Sequence, residues 1–152
     1  MPKVDIVVVA LSTPIMIGVY EQGELSKTFT SQKQSSEYLP EIFAFLLQEY
    51  DIQTVTYANG PGSFMAIKMS YLFLKSLEIV KGIELYAALA FEFNDYTPIK
   101  ALGKLYFHYE NGDILTRPLG DVALKSMSLP KVLELKKFST LTEPNYILPA
   151  VN

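Results

Sequence analysis

Residues 64–80 are the part of this sequence that most restricts its fold. At about 100° per residue, the apolar side chains of this segment surround the axis of a helix instead of forming one stripe. They are Phe64, Met65, Ile67, Met69, Tyr71, Leu72, Phe73, Leu74, Leu77, Ile79 and Val80. A helix that is hydrophobic all round is normally buried on every side. The fold must therefore provide more than one apolar layer around it.

Two arrangements satisfy that requirement. In the first, the helix lies between a sheet and another helix of the same chain. In the second, one side packs on the chain's own sheet and the opposite side docks on another polypeptide, with Tyr71 and Phe73 as anchors. A stable interface needs only about 800 Å² from each partner, and a helix of this length can supply much of that area.

The order of the other elements predicts an α/β fold. The predicted elements are strands at 4–11, 14–20 and 25–30, a helix with Ser35 and Ser36 as candidate N-caps that ends near residue 51, a strand at 53–58, a helix at 64–81 closed by Gly82, and a strand at 83–88. Two strand–helix–strand crossovers add parallel pairing to an antiparallel meander. The order β-β-β-α-β-α-β is that of a ribonuclease-H-like, actin-type half with a mixed sheet.

The remainder of the chain is shorter and less regular. We assign residues 1–95 to an actin-like N-terminal domain and residues 96–152 to a reduced second lobe, whose C-terminal tail we expect to return to the first domain. Asn111-Gly112 predicts a hairpin turn, because Asn-Gly accepts positive φ at both central positions. Residues 129–138 are predicted as a short helix, and residues 142–148 as an extended segment.

The composition excludes several classes of site. The chain has 152 residues, 49% of them hydrophobic, and can bury a core without a metal or a disulfide. It has no Cys and one His, which excludes a thiolate nucleophile, a disulfide framework and a cysteine-ligated metal. With 13 Lys and Arg against 16 Asp and Glu, scattered along the chain, it has no basic patch for nucleic acid. We expect a cytoplasmic protein with no secretory signal and no membrane span.

The loop Gly60-Pro61-Gly62-Ser63 joins a predicted strand to the long helix. Backbone N–H groups at such a turn, together with the positive end of the helix dipole, commonly bind phosphate. Gly60, Gly62 and Ser63 are therefore candidate anion-binding residues. The loop lacks the ending of a P-loop and the third glycine of a dinucleotide fingerprint. The alternative is structural, with Gly62 at positive φ and the Ser63 hydroxyl capping the helix.

The sequence offers no set of residues that demands catalysis. His108 lies between Phe107 and Tyr109 on a predicted strand, which favours a partly exposed strand residue over a general base or a metal ligand. No nucleophile-elbow motif accompanies it, and one imidazole without a thiolate does not make a zinc site. We therefore predict no catalytic residue and no metal ligand in this chain.

The first 95 residues resemble the bacterial TsaB (YeaZ) family. The best match is Gly60-Pro61-Gly62-Ser63-Phe64, which is similar to the Gly-Pro-Gly-Ser-Phe-Thr-Gly-Leu-Arg that opens the family's second helix. Supporting matches in the same part of the chain are Ser12-Thr13-Pro14, Glu24-Leu25 and Ser36-Glu37-Tyr38-Leu39-Pro40. Near the end of the chain, Pro144-Asn145-Tyr146-Ile147 is similar to the family's closing Pro-x-Tyr-Leu segment. The chain departs from the family at Ala10-Leu11-Ser12, where the family commonly has Asp-Thr-Ser. It departs again at Met65-Ala66-Ile67-Lys68, and its second lobe is shorter.

The resemblance implies a non-catalytic scaffold in the threonylcarbamoyl modification of a tRNA adenosine. Such a subunit would bind TsaD, the paralogous subunit that transfers the group, with the ATPase TsaE as a third component. ATP and metal would belong to those partners, tRNA would be contacted only indirectly, and the chain alone would form a homodimer. The residues expected at the contact are Leu39, Phe43 and Leu46 on the first helix and Phe64, Ile67, Tyr71 and Leu74 on the second.

The competing interpretation is an enzyme, an actin-like ATPase or kinase that uses the 60–63 loop for phosphate. That enzyme would need a metal-holding acid at the end of the first strand, where this chain has Ala10. Asp5 lies too early in the predicted strand to replace it. A third interpretation is a protease, the label sometimes given to the family. The chain lacks the metal-ligating residues that such an enzyme would need.

Overall fold

The computed structural model of the chain describes residues 1–146. Its strands are β1 (Lys3–Val9), β2 (Ile15–Glu21), β3 (Glu24–Ser31), β4 (Asp51–Ala58), β5 (Glu84–Ala88), β6 (Ile99–Lys100), β7 (Leu105–Glu110) and β8 (Asp113–Pro118). Its helices are α1 (Ser35–Glu49) and α2 (Phe64–Lys81), with short 3-10 turns at Ala90–Phe93 and Leu135–Lys137. In this part of the chain, no helix combines the length and the apolar character needed to cross a membrane.

The first five strands form one mixed sheet in the order β3-β2-β1-β4-β5. Strand β1 pairs antiparallel with β2 and parallel with β4, and β5 pairs parallel with β4. The helices α1 and α2 are the two crossover connections. This confirms the predicted order β-β-β-α-β-α-β and the predicted α/β class.

The central strand β1 divides the interior into two cores, because neighbouring residues of a strand point to opposite faces. Ile6 and Val8 pack on the face that carries α1 and α2. Val7 and Val9 lie on the opposite face, where Leu133 and its neighbours in the C-terminal part of the chain cover the sheet. Strand β1 is therefore buried on both faces, as its β-branched run predicts.

The strands after residue 95 form a separate three-stranded sheet in the order β6-β7-β8. Strands β7 and β8 are a hairpin in which Glu110 pairs with Asp113. Asn111 and Gly112 form its turn with φ of 51° and 85°, which confirms the predicted two-residue turn.

The predicted helix over residues 129–138 is wrong. Apart from the 3-10 turn at Leu135–Lys137, this segment runs extended beside the β2–β3 turn. The Leu25 N–H donates to the Lys131 carbonyl at 2.9 Å, and the Leu133 N–H donates to the Gly23 carbonyl at 2.8 Å. Backbone pairing with a turn far away in sequence thus overrides the local helical pattern.

Helix α1 begins differently from the prediction. The residue before its first turn is Gln34, whose side chain makes no capping hydrogen bond, and Ser35 and Ser36 lie inside the helix. Neither serine is therefore the cap. Ser35 is instead buried below the helix start.

The segment after residue 138 lies against the open edge of the first sheet. Ser139 forms a bridge to Ala87 of β5. The Tyr57 hydroxyl donates to the Thr142 carbonyl, and the Asn145 N–H donates to the Asn59 carbonyl at 2.8 Å. This segment therefore runs from β5 across the end of β4 towards α2. Residues 147 and 148 of the predicted extended tail, and Ile147 of the family-like motif, lie outside the described residues.

Candidate docking surface on the second helix

Helix α2 has well-defined ends. The Ala66 N–H donates to the Ser63 side-chain oxygen at 3.4 Å, which confirms Ser63 as the N-cap. Gly82 ends the helix in the left-handed region with φ of 70°. Between these ends, Ile67 and Leu74 are buried against the sheet. One side of α2 is therefore part of the chain's own core.

The opposite side of α2 is apolar and exposed. Met65, Leu72, Ile79 and Val80 are 62%, 52%, 74% and 74% exposed, and we call these four residues the α2 surface. Met65, Leu72 and Ile79 are seven residues apart, or about two helical turns, so they form one line along the helix. Within residues 1–146 the sheet and α1 therefore do not enclose α2, and a line of apolar side chains along the helix remains exposed to solvent.

Five of the seven residues predicted at a partner contact belong to the core. Leu39, Phe43 and Leu46 of α1 are 0% exposed, and Ile67 and Leu74 of α2 are 1% exposed. In the folded chain their side chains are not available to a partner, so the predicted contact surface must be corrected. The three- and four-residue spacing that marked them is the spacing of the stripe that packs on the sheet.

The other two predicted contact residues stack on aromatic side chains of the same chain. Phe64 is half-exposed and stacks on Tyr146, with ring centroids 4.0 Å apart and planes 20° apart. Tyr71 is partly buried and stacks on Tyr57 with centroids 6.2 Å apart. Phe73, the second proposed anchor, packs on Phe43 of α1. None of the three belongs to the α2 surface.

The sequence did contain a signal for the surface that was missed. Lys68 and Ser76 lie on the side of α2 that carries Leu72, and both are exposed. Polar residues at this spacing mark the side of a helix that faces solvent. The apolar residues between them should have been chosen as the contact set, in preference to those that follow the Ile67 and Leu74 stripe.

The 60–63 loop is only partly accessible. The positive φ is at Gly60, with 127°, and not at Gly62 as the structural alternative proposed. A Cβ atom at Gly60 would lie 2.5 Å from the Asn145 carbonyl oxygen, and one at Gly62 would lie 3.1 Å from Leu11. The C-terminal segment therefore packs closely on Gly60, and Leu11, just after β1, packs closely on Gly62. Ser63 lines a cavity whose wall includes neither Gly60 nor Gly62.

The remaining candidates have structural partners. Asp5, near the start of β1, accepts a hydrogen bond from the Thr54 hydroxyl at 2.7 Å. His108 is buried, not partly exposed as predicted, and its Nε2 lies 3.0 Å from the Pro118 carbonyl, to which it donates. Residues 1–146 contain no cluster of three His, Asp or Glu side chains that could hold a metal ion. Ala10, which follows β1, is buried.

Comparison with known proteins identifies the fold. No family model and no curated protein matches the chain. The solved structure of YeaZ from Pseudomonas aeruginosa superposes with a TM-score of 0.56 at 13% sequence identity, covering 86% of this chain and 71% of that chain. A crystal structure of an uncharacterized protein with similarity to peptidase YeaZ from Pseudomonas aeruginosa gives 0.56 at 12% identity, covering 81% and 69%. The predicted YeaZ-like, actin-type fold is confirmed.

Proposed function

We propose that this chain is a non-catalytic accessory subunit that docks on a larger partner through the α2 surface. The partner is TsaD, or a protein that occupies its place, and TsaE joins the complex as a third component. The reaction, its ATP and its metal belong to those partners, and tRNA reaches this chain only through them. The YeaZ-like fold supports this assignment at the level of architecture.

The observation that carries the proposal is the exposed apolar side of α2. Four large apolar side chains lie along one side of an 18-residue helix and remain in contact with solvent. Burial of each such side chain contributes roughly 1.5 to 3 kcal/mol. Exposed large apolar side chains that line up along one helix commonly mark an interaction surface. A partner helix with its own apolar stripe is the simplest complement.

The chemistry of the chain supports an accessory role over the competing ATPase or kinase. Its only carboxylate in β1, that of Asp5, is occupied by Thr54, and Ala10 stands where an actin-like enzyme holds its metal. The Asn145 carbonyl lies over Gly60 of the 60–63 loop. Calorimetric titration with Mg-ATP separates the two functions, because micromolar binding by the isolated chain would favour the enzyme.

The direct test uses the double variant Leu72→Asp with Ile79→Asp, coexpressed with TsaD from the same genome. We expect size-exclusion chromatography to show loss of the complex, because two carboxylates would be desolvated in the interface. Both positions are exposed, so the free energy of unfolding should change by no more than about 0.5 kcal/mol per site. An assay for the modified adenosine in tRNA should show a parallel loss.

Matched variants separate docking from folding. Leu102→Asp places the same charge at an exposed apolar position outside α2 and should leave the complex intact. Leu74→Asp places it in the core and should unfold the chain. If the double variant still forms the complex, the proposed docking surface is wrong, whatever the variant does in the tRNA assay.

A further inference from the structure

The dipeptide Asn-Gly occurs twice in this chain, at Asn59-Gly60 and at Asn111-Gly112. In this dipeptide the backbone nitrogen of the second residue attacks the asparagine side chain with little hindrance, because glycine has no Cβ atom. The two copies contain the same reacting groups, so a difference between their reactivities in the folded chain reports on the fold. The structure places the two copies in opposite environments.

The reaction in question is deamidation. The glycine nitrogen loses its proton and forms a bond to the side-chain carbonyl carbon of the asparagine, while the bond from that carbon to the side-chain nitrogen breaks and ammonia leaves. The product is a five-membered succinimide ring. Water then opens the ring at either of its two carbonyls. One opening gives aspartate, and the other gives isoaspartate, in which the main chain runs through the former side chain.

Asn111 and Gly112 lie in solvent at the tip of the β7–β8 hairpin. The paired part of the hairpin ends at Glu110 and Asp113, so both turn residues lie outside the strand ladder. Both are exposed, and nothing lies within 4 Å of the position that a Cβ atom on Gly112 would take. The side chain of Asn111 can therefore turn towards the Gly112 nitrogen without displacing a neighbouring residue.

Asn59 and Gly60 are held in place by hydrogen bonds. Asn59 is only 9% exposed, and its Nδ2 donates to the Glu143 carbonyl at 3.1 Å. Its backbone N–H donates to the Ala88 carbonyl at 3.0 Å, and its own carbonyl accepts from the Asn145 N–H at 2.8 Å. Rotation of the Asn59 side chain towards the Gly60 nitrogen would break the bond to Glu143 inside a buried site, which is costly.

The surroundings of Asn59 also oppose the product of the reaction. Within residues 1–146, its Oδ1 is a buried atom without a hydrogen-bond partner. Deamidation would replace the donating Nδ2 by a second carboxylate oxygen, which would face the Glu143 carbonyl, itself an acceptor. A buried carboxylate without donors is costly. A carboxylate at exposed Asn111 would instead be hydrated.

We propose that Asn111 is a site of spontaneous deamidation in the folded protein and that the fold protects Asn59 from the same reaction. The modification replaces a neutral amide by a carboxylate, so the formal net charge of the chain changes from -3 to -4. The aspartate product keeps the hairpin, because Asp-Gly also accepts this type of turn. The isoaspartate product does not, because it lengthens the main chain of a two-residue turn that sets the register of β7 and β8. The site is independent of the docking function proposed above.

The test is incubation of the full chain in its folded state, followed by peptide mapping with mass spectrometry, which measures both sites in the same sample. A protease that cleaves before aspartate but not before isoaspartate distinguishes the two products. We expect deamidation of Asn111 at a rate at least about tenfold higher than that of Asn59, because a buried hydrogen bond must break before Asn59 reacts.

The unfolded chain and two variants are the matched controls. In urea both Asn-Gly pairs are exposed, and we expect similar rates at the two sites. Asn111→Gly removes the reacting amide but keeps a turn of the same type, so it should abolish the change in net charge with the hairpin retained. Asn111→Asp reproduces the aspartate product and should leave amide hydrogen exchange in β7 and β8 unchanged. The isoaspartate form, separated by chromatography, should show faster exchange there.

Three outcomes would overturn the proposal. The first is a folded chain in which Asn111 stays unmodified or reacts no faster than Asn59. The second is a difference between the two sites that persists unchanged in urea, because the neighbouring sequence and not the fold would then decide the rates. The third is native hydrogen exchange in the isoaspartate form, which would refute the effect on the hairpin. None of these results bears on the α2 docking test, since that test follows a protein complex.

Discussion

Two buried tyrosines hold the C-terminal part of the chain to the first sheet. Tyr20 donates its hydroxyl hydrogen to the Pro130 carbonyl at 2.6 Å, and Tyr57 donates to the Thr142 carbonyl. Both side chains are fully buried, and burial raises the pKa of each phenol above its ordinary value. Each hydroxyl therefore donates a hydrogen bond to a backbone carbonyl of an irregular segment, where regular backbone pairing does not provide a donor.

Tyr20→Phe should destabilise the chain by about 1 to 3 kcal/mol, because it leaves the Pro130 carbonyl without its donor. Urea unfolding measures the change. Tyr86→Phe is the matched control, since Tyr86 bonds only to exposed Glu84 at 3.2 Å, and it should change stability by no more than about 0.5 kcal/mol. Equal effects of the two substitutions would show that the buried bond does not stabilise the fold.

The same tyrosines predict how stability depends on pH. Their pKa in the folded chain is raised, so at high pH the unfolded chain releases the phenolic protons first. The stability from their burial is complete below the unfolded pKa of about 10 and is lost as pH rises above that value. Unfolding free energies measured through this range should fall, and the fall should be shallower in Tyr20→Phe. Parallel curves for the two proteins would contradict this explanation.

At the scale of elements, the 60–63 loop and the C-terminal segment pack directly against each other. Gly60 has φ of 127°, and a Cβ atom there would lie 2.5 Å from the Asn145 carbonyl. Gly60→Ala should therefore cost about 2 kcal/mol or more through backbone strain and displace the segment. Hydrogen exchange at the Asn145 N–H, which bonds to Asn59, should accelerate well beyond the global change.

Gly82→Ala is the control for that experiment. Gly82 also has positive φ, at 70°, but nothing lies within 4 Å of the position its Cβ would take. We expect a loss of about 1 kcal/mol from the helix end without selective exchange at Asn145. If Gly60→Ala and Gly82→Ala changed exchange at Asn145 to the same extent, contact with the segment would not be what constrains Gly60.

The elements that the sequence predicted are those with a strong local pattern. Helix α1 follows from three- and four-residue spacing, α2 from a long apolar run bounded by Ser63 and Gly82, and β1 from its β-branched run. The segment at 129–138 was missed because its partners are the backbone groups of Gly23 and Leu25, which no local pattern encodes. The accessible side of α2 was misplaced for a different reason, since its only local signal, the polar residues Lys68 and Ser76 on the side that carries Leu72, is weak in a helix with apolar residues on every side.

At the scale of the whole molecule, the two faces of the first sheet are covered by different parts of the chain. The C-terminal part of the chain covers one face of the first sheet, through Leu133 and its neighbours, while α1 and α2 cover the other. The α2 surface lies on the outside of that second layer. Any neighbour that buries it adds a further apolar layer beyond the helices without disturbing the cores beneath.

A second copy of the chain can supply that layer when the proposed partner is absent. A two-fold axis beside α2 would place each Leu72 and Ile79 against the same residues of the other copy, as an isologous contact requires. We expect sedimentation velocity of the isolated chain to show a concentration-dependent monomer–dimer equilibrium that Leu72→Asp shifts to monomer and Leu102→Asp leaves unchanged. Addition of TsaD should convert the dimer to a heterodimer, because both contacts use one surface. A homodimer that persists in Leu72→Asp, or a complex that contains TsaD and the intact homodimer together, would place the self-contact elsewhere on the molecule.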